Sequence, residues 1–208
     1  ATVSPQFYWD KPLSDPRPAI RRESIAFTRE LLRVAAWVGA EAVLVLPGVV
    51  AVPWDASRPV VPYAEVWKNA TASIRACLNE AEKRGVTIAL ENVWSWFLTD
   101  PMAMKQFVDQ FHSRRVGVYF DVANCLINGC PEHWIDLLGR RMAAVHFKNF
   151  QRQDSGGGLK GFTDDLLKGD VNWKAVMAAL SRIKYKGPIT AEMIPFDRTM
   201  PDMALARD

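Results

Sequence analysis

The chain has 208 residues, 49% hydrophobic and 24% charged, with 26 basic against 23 acidic side chains and a net charge of +3. That length supports one good core, the composition is that of a globular protein, and so small a net charge without a Lys/Arg block argues against a nucleic-acid binder. The three cysteines form no C-x-x-C, no run reaches about 18 apolar residues and the start has no basic-then-apolar pattern, so a cytoplasmic protein without membrane contact is the expectation.

Ala1–Ser4 reads as the end of a strand. An aromatic loop follows, Phe7-Tyr8-Trp9-Asp10, whose ring density favours a place on a ligand-facing surface over that of a tethered terminus. Ser14 or Asp15 before Pro16 is a helix-start signal, and Ile20, Ile25, Leu31, Leu32, Ala35 and Ala36 fall at helical spacing until Gly39. Ala42–Pro47 reads as a buried strand and 49–61 as a proline-containing loop. Tyr63–Arg84 is an amphipathic helix (Val66, Ile74, Cys77, Leu78 and Ala81 inward) closed by Gly85. Val86–Asn92 is the next strand, and Asp100 caps a helix from Pro101 to about His112.

Val116–Asp121 is a further strand, Pro131 opens a short helix ending near Gly139, and Met142–Phe147 is a strand again. Residues 148–170 read as one long loop around Gly156-Gly157-Gly158, a length that marks a functional or unstructured segment. A last helix runs from Val171-Asn172-Trp173 to about Ile183, and a last strand covers Ile189–Met193; the final fifteen residues carry no pattern. Cys77 reads as a core thiol, a Cys125–Cys130 disulfide is not expected, and His112 and His133 read as surface residues.

Strand and helix alternate throughout, the pattern of a parallel α/β sheet. The expected fold is a TIM (β/α)8-type barrel in one domain spanning 1–208, short of its first two βα units. An open doubly wound sheet is the alternative, but no glycine-rich phosphate turn follows the first strand. A barrel missing strands would expose edges, so residues ahead of Ala1 or contacts in a homo-oligomer are expected to cover them.

Four of the apolar runs end on, or just before, a metal-capable side chain: Glu91, Asp121, His146 and Glu192. Parallel strands open their C-terminal ends on one face, so these four converge there. One acid at a strand end is as readily a helix cap or a solvated loop residue; four in successive strand-end positions, one of them His, argue a site. Two Glu, one Asp and one His suit a divalent cation with open positions, Mn²⁺ first, then Mg²⁺, Co²⁺ or Zn²⁺.

The segments Leu90-Glu91-Asn92, Phe120-Asp121-Val122-Ala123-Asn124, Val145-His146-Phe147-Lys148-Asn149, Gly169-Asp170-Val171-Asn172-Trp173 and Ala191-Glu192 resemble the xylose isomerase-like TIM-barrel superfamily, ketose and sugar-phosphate 3-epimerases above all. The resemblance implies Glu91, Asp121, His146 and Glu192 as metal ligands and Arg152 as the arginine that reaches substrate oxygens. Two positions depart from the epimerase pattern. Asn124 stands where a substrate-binding His is usual, and Phe97 where a second Glu is usual.

Glu91 and Glu192, on separate strands, are the expected catalytic acid/base pair, flanking a sugar or sugar phosphate and passing through an enediolate. Arg152, Lys148, Lys160 and the triglycine loop could receive a phosphate, while Asn124 would bond a substrate hydroxyl. Trp94, Trp96, Phe97 and Phe7-Tyr8-Trp9 could wall the sugar's C–H face. Three other functions compete: a metal-dependent polyol dehydratase on the same barrel, an abasic-site nuclease, which would call for more His and a basic groove, and a non-catalytic binding protein.

Overall fold

The computed structural model describes residues 1–152 and 159–192. Six parallel strands form its central sheet: β1 (Thr2–Val3), β2 (Ala42–Val45), β3 (Thr87–Glu91), β4 (Val116–Asp121), β5 (Met142–Phe147) and β8 (Ile189–Ala191). They lie side by side in that order, each paired with its chain predecessor in the sheet. Such order requires a crossover between each pair of strands. The crossovers carry α1 (Pro18–Trp37), α2 (Tyr63–Arg84), α3 (Pro101–Asp109), α4 (Pro131–Leu138) and α5 (Trp173–Arg182).

The helices form where the sequence supplies both a start and an apolar stripe. The Asp100 carboxylate caps α3 by accepting from the N–H groups of Met102 and Ala103, and Asn172 caps α5 by accepting from that of Ala175. Gly85 closes α2 in the left-handed conformation at φ 70°, which costs a glycine nothing. Val66, Ala70, Ile74, Cys77 and Ala81 form the buried stripe of α2. Ends agree with the spacing-based reading within a few residues, except that α3 stops at Asp109 and His112 follows in a left-handed turn at φ 51°.

The sheet is curled. Tyr119 on β4 donates to Thr190 Oγ1 on β8 at 3.3 Å, and its hydroxyl lies 3.0 Å from Thr2 Oγ1 on β1. In a flat sheet Thr2, three strands away, would lie roughly 14 Å off. Residues alternating with Tyr119, such as Phe120, point outward instead; Phe120 stacks on Trp134 of α4.

The ladder between β4 and β5 is interrupted: Val118 pairs with Met142, but Tyr119 pairs with Ala144. Ala143 is thus the extra residue of a bulge. Without it, the register begun at Val118 and Met142 would set Asp121 against Val145; with it, Asp121 faces His146. At Gly117, beside the bulge, a Cβ would come within 2.8 Å of the Arg141 carbonyl oxygen. Glycine permits that approach.

Two expectations are corrected. The segment after β5 is no simple loop but begins as an antiparallel hairpin, β6 (Phe150–Arg152) and β7 (Leu159–Phe162), with Phe150 paired to Phe162. Gly156-Gly157-Gly158 lies outside the described residues, as do Met193 and the C-terminal segment. Two rings of the early aromatic segment serve packing: Phe7 stacks on Phe27 of α1 at 3.9 Å, and Tyr8 is fully buried with its hydroxyl 2.9 Å from Thr28 Oγ1, while Trp9 lies partly open against Trp54. No helix among the described residues is long and apolar enough to cross a membrane.

Candidate metal centre

Strand ends bring the four predicted side chains together. β3 ends on Glu91, β4 ends on Asp121, β5 places His146 one residue before its end, and Glu192 follows β8, its N–H donating to the Phe147 carbonyl at 2.9 Å. One ligand atom from each lies within 4.8 Å of the others. Nδ1 of His146 faces the acids, 2.9 Å from Glu91 Oε1, 3.5 Å from Glu192 Oε2 and 3.9 Å from Asp121 Oδ2. Asp121, Glu91 and His146 are buried, whereas Glu192 keeps partial access to solvent.

Asp121 is held from two directions. Asn92 grips its main chain, Oδ1 accepting from the Asp121 N–H at 2.8 Å and Nδ2 donating to its carbonyl at 2.9 Å. The carboxylate's Oδ1 accepts from the N–H groups of Ala123 and Asn124, each at 2.8 Å. Oδ2 is buried with no hydrogen bond. Lys148 Nζ lies 3.0 Å from that oxygen, close enough for charge attraction but out of line for a directed bond. A buried, fully oriented carboxylate oxygen lacking a donor, facing two more carboxylates and an imidazole nitrogen, fits a divalent cation by its donor set.

Charge is unevenly balanced here. Burial raises the Glu91 pKa above the usual carboxylate range, with His146 only partly opposing the shift. For His146, burial pulls the pKa down, but the bond to Glu91 and the charges of Glu91, Asp121 and Glu192 more than restore it, so the net shift is upward. Lys148 behaves likewise: burial disfavours its charge, and Asp121, Glu192 and Glu91 overcome it, raising the pKa.

The remaining predicted site residues separate. Lys148 turns into the cluster, its Nζ 3.0 Å from Glu192 Oε2 and 4.4 Å from the centre of the Phe162 ring. Asn124 is buried beside Asp121, and its carbonyl accepts from Trp94 Nε1 at 2.9 Å. Trp94 stacks on Phe162 at 4.8 Å. Arg152 sits exposed on β6, held by its main-chain N–H to Asp170 Oδ2. Phe97 is a correction: it is core, packed edge-on against Trp67 and Phe107, and walls no sugar. Cys77 and Cys125 are buried free thiols, Cys130 is exposed, and His112 and His133 lie on the surface.

Asn92 and Asn149 stood in the quoted motifs without an assigned role, and Tyr119 and Phe162 were not singled out from the sequence. Asn149 is fully buried; its Oδ1 accepts from Phe150 and Val171 and its Nδ2 donates to the Leu166 carbonyl, tying the hairpin base to the segment before α5. Asn92 directly follows the end of β3 and Asn149 lies between β5 and β6, places where a side-chain amide replaces lost ladder bonds. The ring of Tyr119 lies 4.3 Å from that of His146.

A family model described as Xylose isomerase-like TIM barrel matches residues 3–208. The chain belongs to the xylose isomerase-like TIM-barrel family. An uncharacterized protein of Methanocaldococcus jannaschii is 25% identical over 192 residues, 87% of this chain and 62% of that protein. The chain therefore spans less than two thirds of that relative. Among solved structures, a D-tagatose 3-epimerase-like protein superposes with a TM-score of 0.76 at 21% identity, covering 99% of this chain and 73% of the other. A mannonate dehydratase from Streptococcus suis gives 0.74 at 17%, covering 94% and 71%. Six curled parallel strands accord with that partial coverage of a xylose isomerase-like barrel.

Proposed function

We propose that this chain carries the proton-transfer centre of a divalent-metal-dependent isomerase or epimerase acting on a small sugar or sugar phosphate. The observation that carries the reading is the cluster itself: four ligand atoms within 4.8 Å at strand ends, with Asp121 Oδ2 buried and without a donor. A cation bound there, Mn²⁺ by first choice, would polarise substrate oxygens and acidify the adjoining C–H bond.

Asp121 and His146 hold the centre, and Glu91 and Glu192 transfer the proton from opposite sides of the substrate. The raised pKa of buried Glu91 suits a group that holds and returns a proton, while partly open Glu192 suits the partner that exchanges with solvent. Asn124 offers its amide to a hydroxyl. Lys148, already committed to two carboxylates, balances charge, which leaves exposed Arg152 as the described residue for a substrate phosphate.

The likeness to an epimerase-like protein supports this reading, and that to a mannonate dehydratase supports a second, the same proton abstraction followed by loss of a β-hydroxyl. Mn²⁺ titration calorimetry on the wild type and Glu192→Gln, followed by incubation with ketoses and their phosphates in D₂O, tests both. Expected are one Mn²⁺ per chain, bound at least tenfold more weakly by the variant, and deuterium at a carbon next to the carbonyl. Loss of water with deuterium incorporation would select the dehydratase; absence of Mn²⁺ binding would end both readings.

A further inference from the structure

Beside the metal cluster lies a cavity of about 410 Å³, between the segment following β3 and the segment following β4. That size is within the range of small-molecule pockets, roughly 300–1,000 Å³. Its wall includes Trp94, Trp96, Leu98, Ile127 and Trp134, and none of the four candidate ligands. Yet it adjoins them: Asn92 directly follows Glu91, and the N–H of Asn124 holds Asp121 Oδ1 at 2.8 Å.

The polar side chains in this wall are largely spent. Both ends of the Asn92 amide are bonded to the Asp121 main chain, Trp94 Nε1 donates to the Asn124 carbonyl, and Asn128 Nδ2 donates to the Thr99 carbonyl. The Asn124 amide, nine-tenths buried, has no partner among the described residues. A free ketose carries a hydroxyl on nearly every carbon, and each one buried without a partner costs about 1–3 kcal/mol. The Asn124 amide, with the hydroxyl of exposed Thr99 and the amide oxygen of exposed Asn128, makes too few groups to satisfy such a molecule; Asn124 can orient one polar junction.

The chain also invests backbone energy in this wall. Trp96 and Leu98 adopt left-handed conformations at φ 61° and 55°, and both line the cavity. Such conformations are costly for bulky residues and persist where surrounding structure enforces them. Here the N–H groups of Val50 and Ala51 both donate to the Ser95 carbonyl and pin the loop.

We propose that this cavity receives an apolar, ring-sized substituent carried by the polyol whose oxygens meet the metal centre. The substrate class is then a sugar derivative with an aromatic or other apolar appendage rather than a bare ketose. Asn124 bonds the junction between the two parts, and the indole walls take the ring. This inference rests on the proposed function, which supplies the reacting end.

The probes are phenyl and methyl β-D-glucopyranoside, which share a sugar and differ in the appendage. Their affinities are measured with and without Mn²⁺ by calorimetry and tryptophan fluorescence, for wild type, Ile127→Asp and Trp96→Ala. Ile127 and Trp96 are 42% and 46% exposed, so both variants retain the fold, as thermal melting will verify. Expected is at least a tenfold preference for the phenyl glycoside, lost in both variants while Mn²⁺ affinity stays within twofold of wild type. Equal binding of the two glycosides, including no binding of either, overturns the inference, as does a phenyl preference that survives both substitutions. Phenyl preference without Mn²⁺ binding would sink the metal reading and keep the cavity; Mn²⁺ binding without the preference would do the reverse.

Discussion

Lys148 puts a positive charge inside the ligand cluster. Its ammonium is buried within 3.0 Å of both Asp121 Oδ2 and Glu192 Oε2, where it partly stands in for a cation among three carboxylates. Removing one partner from a buried charge pair leaves the others uncompensated, at a cost of about 3–5 kcal/mol. The same removal takes a repelling charge away from an incoming cation. Lys148→Met is therefore expected to lower the melting temperature of the metal-free protein and to bind Mn²⁺ about tenfold more tightly, with a larger metal-induced rise in melting temperature. Weaker Mn²⁺ binding by the variant, measured calorimetrically, would show instead that Lys148 helps to build the site.

Among the elements, the bulge in β5 has the greatest consequence. It sets His146 rather than Val145 against Asp121, and it is accommodated where Gly117 lets the Arg141 carbonyl approach. Gly117→Ala would force a Cβ to within 2.8 Å of that carbonyl and 3.2 Å of the Ala143 Cβ. Overpacking of this kind costs about 1–3 kcal/mol. The expected result is a lower denaturant midpoint together with weaker Mn²⁺ binding, as the β4–β5 register loosens; an unchanged midpoint would mean that the strands separate there freely. None of this could be read from Met142-Ala143-Ala144, which has no glycine or proline to signal a bulge.

The strands themselves were legible because buried parallel strands are written as short apolar runs, and Asp100 announced α3 because a cap needs that chemistry. The convergence of Glu91, Asp121, His146 and Glu192 followed from parallel topology alone. The hairpin after β5 was hidden in the sequence because Gly156-Gly157-Gly158 reads as a loop signal, although Phe150-Gln151-Arg152 and Leu159–Phe162 form a hairpin pattern. The inward turn of Lys148 and the burial of Phe97 were not legible. Both depend on partners distant in sequence, and a lysine past a strand end reads equally well as solvated.

At the scale of the whole molecule, curvature brings the outer strands of the sheet to a common point. Thr2 of β1 and Thr190 of β8 both bond the Tyr119 hydroxyl. A neutral hydrogen bond contributes about 1 kcal/mol. Tyr119→Phe is expected to speed hydrogen exchange at Thr2–Val3 and Ile189–Ala191 while leaving the middle of α2 unchanged, and to weaken Mn²⁺ binding several-fold. Exchange that quickens evenly across the chain would mean that Tyr119 contributes only general packing.

The same tyrosine has its ring 4.3 Å from His146. One phenol thus connects how tightly the sheet is rolled with where an imidazole nitrogen sits. Cation preference depends on ligand spacings of tenths of an ångström, and those spacings are open to adjustment from positions that never touch the ion. For the proposed cation, a change at residue 2 or residue 190 would retune which ion is chosen, with Glu91, Asp121, His146 and Glu192 left in place.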